Sequence, residues 1–392
     1  MFYSEKSIVL SDVLPILENM WIRSAGGSIT NIGELEAIKQ PRDTLYELQS
    51  PHVCLPGLID AHTHLCYAGS RAADFAGRLN GISEKAIASM GGGIMDTVRH
   101  TRLCNLQPLT EHLVQRLHTV MKQGVTTCEI KTGYGLNYDD EMKMLEAIRK
   151  ASKEVSVSLV PTCFAAHIRP PEFNSDKEYL NFITHRILKT VVDGDFCHRL
   201  DISIDNYAFS PKEAKTYLKA AKNMGFDIII HADQFQMEGS KLAAEVGALS
   251  ADHLEASGLR EFEILKQGNV IPIVLPGSCM GLGVPFPRCR EILDANLPLV
   301  IATDWNPNSS LMGNLLLQAS ILAMSCKLKM AEVLAAITVR AASALRLSDR
   351  GMLKPGYRAD MILFPTGDYQ DILCSQGGML PSAIFVNGCL VV

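Results

Sequence analysis

A chain of 392 residues, 47% hydrophobic and 20% charged, has the composition of an enzyme-sized globular protein and the length for a large α/β barrel with a modest appendage. Its net charge of −5 supplies no basic field for nucleic acid, and no clustered Lys/Arg run marks a membrane surface. No apolar run approaches the roughly 20 residues of a bilayer span, "MFYSEKSIVLSDVLP" lacks a secretory core, and the 11 cysteines include no C-x-x-C pair, an expectation of reduced thiols in a cytoplasmic protein.

Residues 1–52 are β-leaning and broken by turn formers, as in "ITNIGEL". Residues 345–392 are alike in kind, with "ADMILF" and "SAIFVNGCLVV". Between them the pattern changes. Short runs rich in Val, Ile and Leu alternate with amphipathic stretches such as "DDEMKMLEAIRKASKE" and "PKEAKTYLKAAKNMG". The short runs predict strands over 53–62, 124–131, 157–167, 199–205, 226–233, 248–253, 269–276 and 297–304. Eight parallel strands with intervening helices are what a (β/α)8 TIM-type barrel requires. Residues 69–101 form a long excursion after the first strand, and an excursion of that length is usually functional.

Nearly every predicted strand ends in a group that can do chemistry. These are His62 and His64, Lys131 with Tyr134, His167, Asp205, His231 with Asp233, His253, and Asp304. In such a barrel the catalytic groups gather at the C-terminal ends of the strands. Side chains at i and i+2 of a strand point the same way, so His62 and His64 can aim two imidazoles at one point. With His231 and Asp304 they make a mixed nitrogen and oxygen set suited to one Zn²⁺ per subunit, or to Fe. His253 reads as a catalytic proton carrier, with Asp252 either orienting it or capping the next helix. Lys131 could be a carboxylated bridge between two metals, but the fourth strand offers no second lysine. His167 reads as a substrate contact. Arg71, just past the histidine pair, is placed to clamp a substrate carboxylate. The remaining histidines, at 52, 100, 112, 118, 185 and 198, read as surface or packing residues.

"PGLIDAHTH", followed far downstream by "HAD" and "ATD", resembles the amidohydrolase superfamily, and "GMLKPGYRADMILF" resembles part of that superfamily's small β-sandwich domain. The implied organisation is a composite sandwich from residues 1–52 and 345–392 around a barrel at 53–344. "HTHLCYAGSRAADFAGRLNGIS", "GVTTCEIKTGYGLN", "HADQF", "GALSADHLE" and "ATDWNPNSS" are similar to the imidazolonepropionase family of histidine degradation. By position, that resemblance makes His62, His64, His231 and Asp304 the metal ligands. It puts Arg71, Tyr134, His167, Gln234, Asn306, Asn308 and Ser309 on the substrate, and His253, Asp304 and Gln234 at the chemistry. It implies hydrolytic opening of 4-imidazolone-5-propanoate, a small molecule with a carboxylate tail, to N-formimino-L-glutamate. A homodimer is expected by analogy. The sequence departs from the family pattern at Glu84, where a tyrosine is expected, at Asn308, where a glycine is expected, and at Asp205, where glutamate is more usual. The loop after Gln234 is one residue short.

Three other readings compete. A deaminase of the same superfamily generally needs a carboxylate where Gln234 stands, and an amide does not carry the proton. A different cyclic amide hydrolase, such as one for a hydantoin-like ring, is the second, and the absence of a fourth-strand lysine argues against its two-metal version. A non-enzymatic barrel has no need of three histidines and an aspartate converging.

Overall fold

Residues 16–34 and 46–392 are described by the computed structural model. Residues 1–15 and 35–45, both within the expected N-terminal part of the small domain, lie outside the described residues, as does the side chain of Glu84.

The middle of the chain forms one parallel sheet of eight strands in chain order. They are β1 (Leu58–Asp60), β2 (Val125–Lys131), β3 (Ser158–Ala166), β4 (Arg199–Ser203), β5 (Asp227–Ala232), β6 (Ser250–His253), β7 (Ile271–Val274) and β8 (Val300–Ile301). Helices cover the outside. Leu106–Lys122 shows why: its buried Leu109, Leu113, Leu117 and Val120 recur every three or four residues, so one stripe faces the sheet. With helices outside and side chains filling the barrel inside, the strands are buried on both faces, and all seven residues of β2 are buried.

The sheet curls until β1 and β8 meet just past their ends. A parallel bridge joins Thr63 to Trp305. The His64 N–H donates to the Trp305 carbonyl at 2.9 Å, and the Asp304 N–H donates to the His62 carbonyl at 3.0 Å. Below them the buried Asp60 carboxylate accepts from the Thr303 N–H at 3.0 Å and the Thr303 hydroxyl at 2.6 Å. Closure of the barrel therefore sets His62, His64 and Asp304 side by side.

The strand predicted over 53–62 is two strands. Val53–Pro56 pairs antiparallel with Met361–Phe364, while β1 pairs with β2. The break falls at Gly57, where a Cβ would lie 2.1 Å from Thr126 Oγ1. Ala383–Val386 and Cys389–Leu390 complete a four-stranded sheet with the first pair. The hairpin Met20–Ala25/Ser28–Glu34 bridges to Arg358 through Ser28 and buries Ile29 against Leu353, Ala359 and Met361. Segments from both ends of the chain thus build one small β unit beside the barrel. The excursion over 69–101 is helical, with Ala72–Leu79, Glu84–Ser89 and Ile94–Leu103. Among the described residues no helix is long and apolar enough to cross a membrane, and all 11 cysteines are free.

Candidate metal centre

Four side chains from β1, β5 and β8 converge at the C-terminal end of the barrel. His62 Nε2 lies 3.2 Å from His64 Nε2, and His231 Nε2 lies 3.4 Å from His64 Nε2. Asp304 Oδ1 is 3.6 Å from His62 Nε2 and 3.3 Å from His64 Nε2. Asp304 reaches this position from a left-handed backbone, φ 52°, a conformation an L-residue keeps only where its surroundings enforce it.

The other ring nitrogens explain the first ones. His62 Nδ1 donates to Asp252 Oδ2 at 2.6 Å, and His231 Nδ1 faces Asp201 Oδ1 and Oδ2 at 3.1 and 3.0 Å. A nitrogen that faces a carboxylate carries the proton, so the opposite Nε2 presents a lone pair. Lone pairs turned toward one another in a buried site repel unless a cation lies between them. Separations of 3.2–3.4 Å are those of neighbouring donors around an ion with bonds of about 2.0–2.1 Å. The donor chemistry therefore fits a divalent cation. His62, His64 and Asp304 form one group of ligand atoms within 4.8 Å of one another, and His62, His231 and His253 form a second.

Burial, followed by the charge of Lys131, holds His62 well below the ordinary histidine value. Burial brings His231 down to about 4 despite Asp201. Both rings are thereby kept neutral, as metal ligation requires. Burial pushes the Asp304 carboxyl up, but the bond to His64 and the histidine charges outweigh it, and Asp304 stays below the usual carboxylate range.

Lys131 is not available to bridge metals. Its ammonium is buried between Glu129 Oε1 at 2.8 Å and Asp201 Oδ2 at 2.7 Å, and those carboxylates outweigh burial to raise its pKa. Asp252 neither orients His253 nor caps a helix, since it turns to His62. His253 is held instead by Glu255, with Nδ1 3.3 Å from Oε1, and Glu255 Oε1 also accepts from the Cys279 thiol at 3.3 Å. Burial lowers the His253 pKa, but Glu255 overrides it and the net shift is upward. Its ring centroid stands 5.2 Å from that of His231 and 6.0 Å from that of His62.

Asp233 faces away from the cluster. Its carboxylate accepts N–H bonds from Glu238, Gly239 and Ser240 and hydroxyl bonds from Ser240 and Ser257, pinning the loop that follows β5. Asp205 accepts from the Tyr207 N–H at 3.2 Å, and burial raises its carboxyl.

The remaining predicted residues form a wall beside the metal ligands. His167 donates Nδ1–H to the Gly133 carbonyl at 3.0 Å, stacks on Phe164 with centroids 4.3 Å apart, and stands 5.7 Å from the His64 ring. The buried Tyr134 ring lies 5.4 Å from His167. Asn306 donates to Asp304 Oδ2 at 2.9 Å and accepts N–H bonds from Asn308 and Ser309 at 2.8 and 2.9 Å. Gln234 Nε2 reaches the Ser278 hydroxyl at 3.5 Å, which is 3.3 Å from Ser309 Oγ. Arg71 pairs with Asp74 and donates to Asn308 Oδ1 at 3.0 Å. Glu84, on the neighbouring helix, has its side chain outside the described residues.

The residues that sequence reasoning missed are those that hold the others: Asp201, Asp252 in its actual role, and Glu255. A signal existed for Asp201, which falls on the same face as Ser203 and Asp205, at a spacing of two, in the strand predicted over 199–205.

A model of the amidohydrolase family matches residues 53–391, and the chain belongs to that family, whose members are metal-dependent. Within it the similarity narrows. An imidazolonepropionase of Bdellovibrio bacteriovorus is 39% identical over 336 residues, 85% of this chain and 78% of that protein. An imidazolonepropionase of Deinococcus radiodurans is 35% identical over 376 residues, 96% of this chain and 92% of that protein. Among solved structures, 5-methylcytosine deaminase from Klebsiella pneumoniae liganded with phosphonocytosine superposes with TM-score 0.74 at 14% identity, covering 95% of this chain and 94% of that one. Atrazine chlorohydrolase from Arthrobacter aurescens complexed with zinc does so with TM-score 0.70 at 16% identity, covering 95% and 90%. The last two show the fold alone.

Proposed function

We propose that this chain is a metal-dependent hydrolase that opens the ring of 4-imidazolone-5-propanoate with water, giving N-formimino-L-glutamate. The observation that carries the reading is the buried convergence of three Nε2 atoms and one carboxylate oxygen beside an arginine that can take a carboxylate tail.

His62, His64, His231 and Asp304 hold one Zn²⁺, with Fe the alternative. When bound, the ion would supply Lewis acidity that lowers the pKa of water at the site to near neutrality. Asp304 takes the water's proton, its Oδ2 fixed by Asn306, and passes it to the ring nitrogen released as the C–N bond breaks. His253, held by Glu255, donates a hydrogen bond to the carbonyl oxygen as negative charge develops there. Arg71 and Tyr134 bind the propanoate tail. His167, Gln234, Asn306, Asn308 and Ser309 line the ring and tail. The division into a barrel at 53–344 and a sandwich from 1–52 and 345–392, a cytoplasmic location and a homodimer belong to the same reading.

The test is an ultraviolet assay of purified protein on imidazolonepropanoate, run beside purines and hydantoins. Turnover of the first substrate is expected. Turnover of another ring with none of the first refutes the substrate assignment.

A further inference from the structure

Two guanidinium groups meet on one oxygen at the edge of the site. Asn308 Oδ1 accepts from Arg71 at 3.0 Å and from Arg78 at 2.7 Å, and a second Arg78 nitrogen donates to the Asn308 carbonyl at 2.9 Å. Arg71 and Arg78 lie seven residues apart, on the same side of the Ala72–Leu79 helix and its N-cap. Arg71 is steadied from behind by Asp74, which also accepts the Gly93 N–H at 2.9 Å, and by Thr97 Oγ1 at 3.4 Å.

An oxygen that receives two guanidinium groups has the surroundings of a carboxylate oxygen. A carboxylate adds charge attraction and bidentate geometry to a guanidinium bond that a neutral acceptor lacks, so a carboxamide gains less there than an anion would. Asn308 and Arg78 are only half-buried, which leaves the position open to approach. The position is also tied to the reacting centre. Asn308 N–H bonds Asn306 Oδ1 at 2.8 Å, and Asn306 bonds the carboxylate of Asp304.

We propose that the Asn308 carboxamide occupies the seat of the substrate's tail carboxylate, and that Arg78 is a second guanidinium, beside Arg71, for that carboxylate. The tail displaces Asn308 Oδ1 and takes over both arginine bonds. This inference rests on the hydrolase reading above for the substrate it names.

Two variants test it on imidazolonepropanoate, with thermal melting to show that each is folded. Arg78→Gln should raise KM roughly tenfold, the loss of one charge-assisted bond, with kcat within about threefold. Asn308→Asp puts a permanent carboxylate in the seat and should raise KM at least as much. A KM within twofold of the parent's in either folded variant overturns the proposal, and so does a loss confined to kcat. If the parent protein does not turn over this substrate, the substrate reading falls and the seat is judged by calorimetric binding of propanoate alone. Weaker propanoate binding in the folded variants then supports the seat, and equal binding overturns it. If one variant fails to fold, the other decides.

Discussion

Asp252→Asn isolates what a carboxylate behind a metal ligand contributes. The parent bond from His62 Nδ1 to Asp252 Oδ2 is 2.6 Å long and fully buried. Asparagine keeps the shape and one acceptor oxygen but removes the charge. A hydrogen bond to a charged group is worth about 1.5–3 kcal/mol net and a neutral one about 1, so the change weakens the hold on His62 by about 1–2 kcal/mol. Each 1.4 kcal/mol is a factor of ten, and metal affinity should fall roughly 5- to 30-fold, near the 10–100-fold usual for such partners. Competition for Zn²⁺ against a chromogenic chelator measures this directly. Because the replacement is isosteric, the melting temperature of the metal-free protein should move by only a few degrees. An affinity within twofold of the parent's would refute the view that Asp252 fixes the tautomer and aim of His62.

Asp201→Asn should cost stability as well as metal affinity. Asp201 serves both His231 and the buried Lys131, and breaking a buried ion pair typically costs about 3–5 kcal/mol; Glu129 remains on the lysine, so urea denaturation should report the lower part of that range. Asp304→Asn should cut turnover on the order of a thousandfold, the usual worth of a positioned base, while circular dichroism stays unchanged; a near-parental rate would remove Asp304 from the chemistry. Gly57→Ala should lower the urea midpoint by the equivalent of about 1–3 kcal/mol, because its Cβ would lie 2.1 Å from Thr126 Oγ1.

The parts of the site that follow strand periodicity could be read directly. His62 and His64 sit two apart at the end of a strand, and β1 to β8 follow in the order the alternation implies. Closure at the Thr63–Trp305 bridge then brings Asp304 to the histidine pair, a consequence of strand count and not of any local motif. The residues behind the ligands were harder. Asp252 and His253 are adjacent in sequence, so local reasoning pairs them, yet neighbours on a strand point to opposite sides. Asp252 therefore meets His62 across the barrel, and Glu255 comes back to His253 through a turn in which His253 and Leu254 have φ 89° and 72°. Gly57 was hidden for another reason. The run from 53 to 62 is continuously apolar enough for one strand, and nothing local shows that Thr126 packs against Gly57 where the chain passes from one sheet to the other. Nothing local singles out Arg78, since Asn308, which it meets, lies 230 residues away.

Similarity of fold leaves the choice of reaction open, since a deaminase and a chlorohydrolase share this architecture at 14–16% identity. The decision lies with proton carriers and rim contacts. Gln234, three residues past the strand-five histidine, is an amide that only donates and accepts hydrogen bonds; here it reaches toward Ser278, and no proton can be relayed through it. The proton carriers of the proposed reaction are Asp304, itself a ligand, and the His253–Glu255 pair. One is tied through Asn306 to the loop that carries Asn308, the other is buried beside Cys279. On the proposed reading the substrate presents its reacting carbonyl between Asp304 and His253 while its far end meets Arg71. A ring with a short acidic tail satisfies both demands. A neutral base carries no anionic group for the two arginines that meet at Asn308.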